Sequence, residues 1–141
     1  MLDWQKPNTW SILIVDDEPD NLELVALYFN FLQANVKTAH DGREGLDTLR
    51  SFRPDLIILD LSMPHLDGWE MKAVLQADPA LRDIPTIALT AHAMPTDKDR
   101  VRDAGFDGYL TKPISLPTLM DDLQKAVTTF TSTQENTDAA A

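Results

Sequence analysis

The chain has 141 residues, a formal net charge of −11 and no cysteine. That length supports one domain with a sizeable core, while the charge makes nucleic acid and anionic membrane poor partners. Disulfides and thiolate chemistry are excluded, and zinc would have only three histidines to draw on. No apolar run approaches the ~20 residues needed to cross a bilayer. Asp3, Gln5 and Lys6 interrupt anything resembling a signal peptide, so a cytoplasmic location is expected.

Residues 1–10 read as a short arm, polar apart from Leu2, Trp4 and Trp10, with Pro7 and Asn8 breaking regular structure. Ile12 to Val15 is an apolar run that ends in Asp16, Asp17 and Glu18. Pro19 suits the first turn of a helix that Asp17 or Glu18 can cap, and this helix runs to about Gln33, with Asn35 as its stop. The helix carries two apolar stripes: Leu22, Val25, Phe29 and Leu32, then Leu24, Leu27, Tyr28 and Phe31. One stripe covers the sheet. The other is either a docking surface or the seat of Trp4 and Trp10.

Val36 to Ala39 reads as a strand near an edge, and Asp41-Gly42 as a turn. A helix with Leu46, Leu49 and Phe52 follows, ended by Pro54. Leu56 to Leu59 is a strand buried on both faces, and it ends in a carboxylate, Asp60. Burying that carboxylate without partners is expensive, so the strand end must open onto a site. Asp67 and Gly68 form a turn before a helix over residues 68–76 that carries Trp69, Met71, Val74 and Leu75. Ile84 to Leu89 is a strand ending at Thr90. Pro95 opens a nearly all-polar helix whose apolar anchors are Met94, Val101 and Ala104, closed by Gly105. Asp107 to Leu110 is the last strand, followed by Lys112-Pro113. Ser115 caps a final helix with Leu116, Leu119, Leu123, Val127 and Phe130 on one face, and residues 131–141 are expected to be disordered.

Strands alternating with helices argue for a parallel sheet covered on both faces, with ligands beyond the carboxyl ends of the strands. Asp16, Asp17, Asp60, Thr90 and Lys112 then share one edge. Three carboxylates so close favour protonation unless a cation sits among them. Oxygen ligands select a hard ion, and magnesium tolerates a shell completed by water. Lys112 and Thr90 beside it make a receptor for phosphoryl oxygens. Asp60, alone on a central strand, is the candidate nucleophile toward phosphorus.

The set Asp16-Asp17, Asp60, Thr90-Ala91 and Lys112-Pro113, with Tyr109 three residues before the lysine, resembles the receiver domain of two-component response regulators. The resemblance spans roughly residues 11–130. It implies a flavodoxin-like (CheY-like) doubly wound α/β fold, strand order 2-1-3-4-5, in three layers. It implies phosphorylation of Asp60 from a phosphohistidine, with Mg²⁺ held by Asp17, Asp60 and the Ser62 carbonyl, and by Asp16 through water. Thr90, Ala91 and Lys112 would bind the phosphoryl group, Thr90 and Tyr109 would form the switch, and a cis peptide would precede Pro113. The residues two beyond Asp60 and Thr90, Ser62 and His92, would tune dephosphorylation.

The expected function is therefore a phosphorelay switch that signals through the face made by the fourth helix, fifth strand and fifth helix. It catalyses only its own phosphorylation and dephosphorylation. The expected partners are a histidine kinase or histidine phosphotransfer protein, docking on Leu24, Leu27, Tyr28 and Phe31, and a downstream effector. No output domain is expected after residue 130. The alternatives are a receiver excised from a hybrid histidine kinase, against which Met1 argues, and a magnesium-dependent aspartyl phosphatase. Such a phosphatase wants an acid two residues after its nucleophile, where this chain has Ser62. A flavin-binding protein of the same fold is disfavoured because Asp16-Asp17-Glu18 would repel its phosphate. His40 and His65 show no ligand spacing, and residues 42–45 lack the spacing of a phosphate loop.

Overall fold

The apolar runs become five parallel strands. The computed structural model describes residues 2–91 and 95–127, without the side chains of residues 95–97. The strands are β1 (Ser11–Val15), β2 (Asn35–Ala39), β3 (Leu56–Asp60), β4 (Thr86–Thr90) and β5 (Gly108–Thr111), in the spatial order β2-β1-β3-β4-β5. The helices are α1 (Pro19–Phe31), α2 (Gly42–Thr48), α3 (Gly68–Ala77), α4 (Pro95–Asp103) and α5, residues 119–127. This is the expected flavodoxin-like arrangement. Met94, His92, Phe130 and residues 131–141 lie outside the described residues.

Alternation along the strands splits the core in two. Leu13, Val15, Ile57 and Leu59 face one layer with Met71, Leu75, Val101 and Phe106. Ile12, Ile14, Leu56 and Ile58 face the other, with Leu22, Val25 and Phe29 of α1 and Leu119 and Leu123 of α5. Every residue of β3 is buried, as its unbroken apolar run requires. The arm joins the second layer. Trp10 is buried, 6.4 Å from the Phe29 ring and 5.4 Å from Trp4, and its carbonyl accepts from Asn35 N at the start of β2.

Several element boundaries differ from expectation, each for a local reason. α2 stops at Thr48, well before Pro54, because the i→i−3 bonds Arg50 N→Asp47 O and Ser51 N→Thr48 O tighten the chain into a turn. β4 begins at Thr86, since Pro85 has no N–H for the ladder, and Ile84 is buried in the preceding turn. α1 ends at Phe31, and the left-handed residue that closes it is Gln33, φ 66°, with Ala34 N bonded to Phe29 O. Ser115 makes no side-chain cap, and the turn Leu116–Thr118 leads into α5. On α3 the buried positions are Gly68, Met71, Lys72 and Leu75, at helical spacing, while Val74 is exposed. Gly105, φ 96°, closes α4 as expected.

The second stripe of α1 divides. Leu24, Leu27 and Phe31 are exposed, Phe31 by 84%. Tyr28 turns toward α5, against Phe29 and the Met120 backbone. Trp4 and Trp10 pack on the Phe29 side and leave the three exposed residues uncovered.

Candidate functional site

Parallel pairing carries the polar strand ends to one edge. Val15 is in register with Leu59, Asp60 with Leu89, and Thr90 with Thr111. Asp16 and Asp17 follow β1, and Lys112 follows β5 with its N–H bonded to Thr90 O and a cis peptide to Pro113. Asp60 is 3% exposed and Asp16 fully buried. Gly68 lets the chain close over this edge. A Cβ there would lie 2.2 Å from Asp60 O and 2.8 Å from Leu61 Cα, so the loop after β3 packs directly on the backbone that carries Asp60. Asp67 locks that loop through a capping box with Glu70.

Lys112 reaches into the cluster. Its Nζ lies 2.8 Å from Glu18 Oε1, 3.1 Å from Asp16 Oδ2 and 3.2 Å from Asp60 Oδ2. Ser62 N donates to Asp60 Oδ1 at 3.1 Å. Asp16 accepts from Glu18 N at 3.0 Å and from the Asn21 side-chain amide. Burial, and then the facing Asp16 carboxyl, push Asp60 up to about 7, against the pull of the Ser62 amide and Lys112. Burial opposes the charge on Lys112, but Glu18, Asp16 and Asp60 outweigh it and hold the ammonium above the ordinary lysine range. Four acidic side chains thus share this edge with one ammonium, an excess of negative charge.

The donor set suits a hard divalent cation. Among the described residues, carboxylate oxygens of Asp16, Asp17, Glu18 and Asp60 lie within 4.8 Å of one another. All are oxygen ligands, and two of the four residues are buried while Glu18 is exposed, which leaves an open side for water. Such an ion would supply the missing positive charge.

The other expected residues are distributed around this cluster. Thr90 is nine-tenths buried at the end of β4, and Ala91 beside it is exposed. Ser62 is exposed at the site. Tyr109 is half-buried one residue before Leu110 and packs against the α3–α4 layer of the core. Sequence reasoning assigned no site role to three residues that shape the geometry. Asp17 or Glu18 was expected to cap α1, yet Glu18, at the cap position, makes no capping bond and turns to Lys112. Asn21 is a helix residue whose position one turn after Asp16-Asp17 was its only signal. Gly68 was read as a plain turn.

Comparison with known proteins covers most of the chain. The family model for the response regulator receiver domain matches residues 12–124. The polar-differentiation response regulator DivK of Brucella anthropi is 37% identical over 114 residues, spanning 81% of this chain and 93% of that protein. Among solved structures, chemotaxis protein CheY4 of Vibrio cholerae superposes with a TM-score of 0.76 at 31% identity, covering 82% of this chain and 97% of that one. The receiver domain of a Pseudomonas aeruginosa sensor histidine kinase, crystallised with a magnesium ion in its active-site cleft, gives a TM-score of 0.73 at 31% identity, covering 84% and 97%.

Proposed function

The chain belongs to the response regulator receiver domain family, and from that premise we propose that it is a Mg²⁺-dependent phosphorylation switch whose acceptor is Asp60. The observation that carries this reading is the ammonium of Lys112, held at 3.2 Å from Asp60 inside a buried cluster of carboxylates. A lysine there neutralises oxygens that a phosphoryl group brings. Asp17, Asp60 and the Ser62 carbonyl would hold Mg²⁺, with Asp16 through water. When bound, the ion offsets charge on the carboxylates and on the incoming phosphoryl oxygens.

The reaction asks little covalent chemistry of the protein. A carboxylate oxygen of Asp60 forms a bond to phosphorus while the P–N bond of a phosphohistidine breaks. The electron pair of that bond stays on the departing imidazole, which takes up a proton. Thr90 and Lys112 bind the phosphoryl oxygens, and Ala91 is small enough to admit the donor. Drawing the Thr90 hydroxyl toward phosphate opens space beneath it, into which Tyr109 rotates. The surface of α4, β5 and α5 then presents a changed face to a downstream effector. Ser62 and His92 would flank the path of the hydrolytic water, His92 shielding it or acting as base. The exposed Leu24, Leu27 and Phe31 of α1 support docking of the helical phosphodonor, a histidine kinase or histidine phosphotransfer protein.

The test is mass spectrometry after incubation with a small phosphodonor. One phosphoryl group is expected with Mg²⁺ present, and none with chelator or in Asp60→Asn. Full labelling of that variant would move the acceptor elsewhere.

A further inference from the structure

Lys112 is saturated before any phosphoryl group arrives. A lysine ammonium has three hydrogens to donate. Nζ here has three carboxylate partners, Glu18 at 2.8 Å, Asp16 at 3.1 Å and Asp60 at 3.2 Å. A phosphoryl oxygen reaches Lys112 only by displacing one of them.

The three are not equally replaceable. Asp16 is fully buried and also holds Glu18 N and the Asn21 amide. Asp60 is buried, is fixed by Ser62 N, and is the group to be modified. Glu18 has the shortest contact, but its side chain is 62% exposed and makes no helix-capping bond. Of the three carboxylates, it alone can swing into water, since the other two are buried with further partners of their own.

We infer that Glu18 is a positioning residue that occupies, on Lys112, the place a phosphoryl oxygen later takes. This rests on the reading of Asp60 as the phosphoacceptor. Glu18 keeps the ammonium anchored beside Asp60, and every phosphoryl anion that binds must displace it. Because the pair is open to solvent on the Glu18 side, the competition is mild. Its removal is worth about a two- to fivefold change in affinity.

The experiment titrates beryllofluoride, a phosphoryl analogue, into the full chain with saturating Mg²⁺ and follows amide NMR shifts at the strand ends. Four proteins are compared: wild type, Glu18→Gln, Glu18→Asp and Asp20→Asn. Glu18→Asp keeps the charge but is one methylene shorter and loses the contact. Asp20 is a nearby exposed acid on the first turn of α1. The expected result is a half-saturating concentration about two- to fivefold lower in both Glu18 variants and unchanged in Asp20→Asn. Mg²⁺ affinity is titrated separately without beryllofluoride, and each beryllofluoride titration is run at the Mg²⁺ concentration that saturates that protein. If Glu18→Asp matches wild type while Glu18→Gln binds tighter, charge alone acts and the inference fails. It also fails if both match wild type or if either binds beryllofluoride more weakly. A folded wild type that takes no beryllofluoride at all overturns the phosphoacceptor reading and this inference with it.

Discussion

Asp60 carries a conflict that its pH behaviour makes measurable. Its carboxyl titrates at about 7 in the folded protein, against 3.8 when unperturbed. Between those values the folded state binds one proton more than the unfolded state. Stability therefore falls as pH rises from about 4 to about 7, and the loss is complete above that window. Asp60→Asn removes the titrating group. The variant is expected to match wild type near pH 4 and to exceed it at pH 8 by on the order of a few kcal/mol. Saturating Mg²⁺ is expected to recover much of that deficit in wild type and little in the variant. Thermal unfolding at both pH values, with Mg²⁺ and with chelator, checks this. A variant no more stable than wild type at pH 8 would mean the carboxylate is not strained. The strand-end acids, Thr90 and Lys112 were legible in sequence because each interrupts an apolar run with a group that cannot be buried alone. Glu18 was not, because an acid before a helical proline has an ordinary explanation as a cap. Only the tertiary position of Lys112 separates the two roles.

At the scale of elements, α1 divides its work between faces. Leu22, Val25 and Phe29 are spent on the core, and Trp10 and Trp4 extend that layer. Leu24, Leu27 and Phe31 contribute nothing to it and stay in water. An exposed acid at Leu27 would therefore be nearly neutral for folding. If the helical phosphodonor docks there, Leu27→Asp is expected to slow transfer from a phosphohistidine protein tenfold or more, the loss of about one buried side chain and the addition of an unpaired charge. Labelling by a small phosphodonor is expected to stay at the wild-type rate. Equal slowing with both donors would place the defect in the site and not in docking. The two stripes were visible in sequence. Which of them the tryptophans would cover was not, since that depends on how the arm turns at Pro7, a matter of tertiary contacts.

Across the whole molecule, the fold followed from five short strand-forming runs alternating with helices, each ended by a turn or a polar residue, because buried parallel strands leave few other patterns. The exceptions are residues whose side chains break the pattern they sit in. Lys72 is the clearest. A lysine on an amphipathic helix belongs on the solvent face, yet it is 1% exposed. Its Nζ meets Thr86 Oγ1 at 3.2 Å and lies 5.5 Å from the centre of the Phe106 ring. Thr86 opens β4, so this cluster sits at the far end of the sheet from Asp60. Burial pushes the Lys72 ammonium below its ordinary 10.5, with Asp107 acting against that shift. Between the lowered value and 10.5 the unfolded state binds more protons, so this group makes stability rise with pH across that window. Methionine has a similar length and no charge to desolvate, and Thr86 Oγ1 keeps its bond to Ile84 O at 3.0 Å without the lysine. Lys72→Met is therefore expected to stabilise the protein by roughly 1–3 kcal/mol at pH 7, the cost of burying a polar group short of partners. The gain is expected to shrink as pH rises toward 10.5, across the window in which the folded wild type holds fewer protons than the unfolded chain. Phosphorylation by a small donor, which depends on the opposite edge of the sheet, is expected to be unchanged. Urea unfolding of both proteins at pH 7 and pH 10 decides the matter: a variant less stable than wild type at pH 7 would show that the ammonium is a net anchor joining α3 to β4.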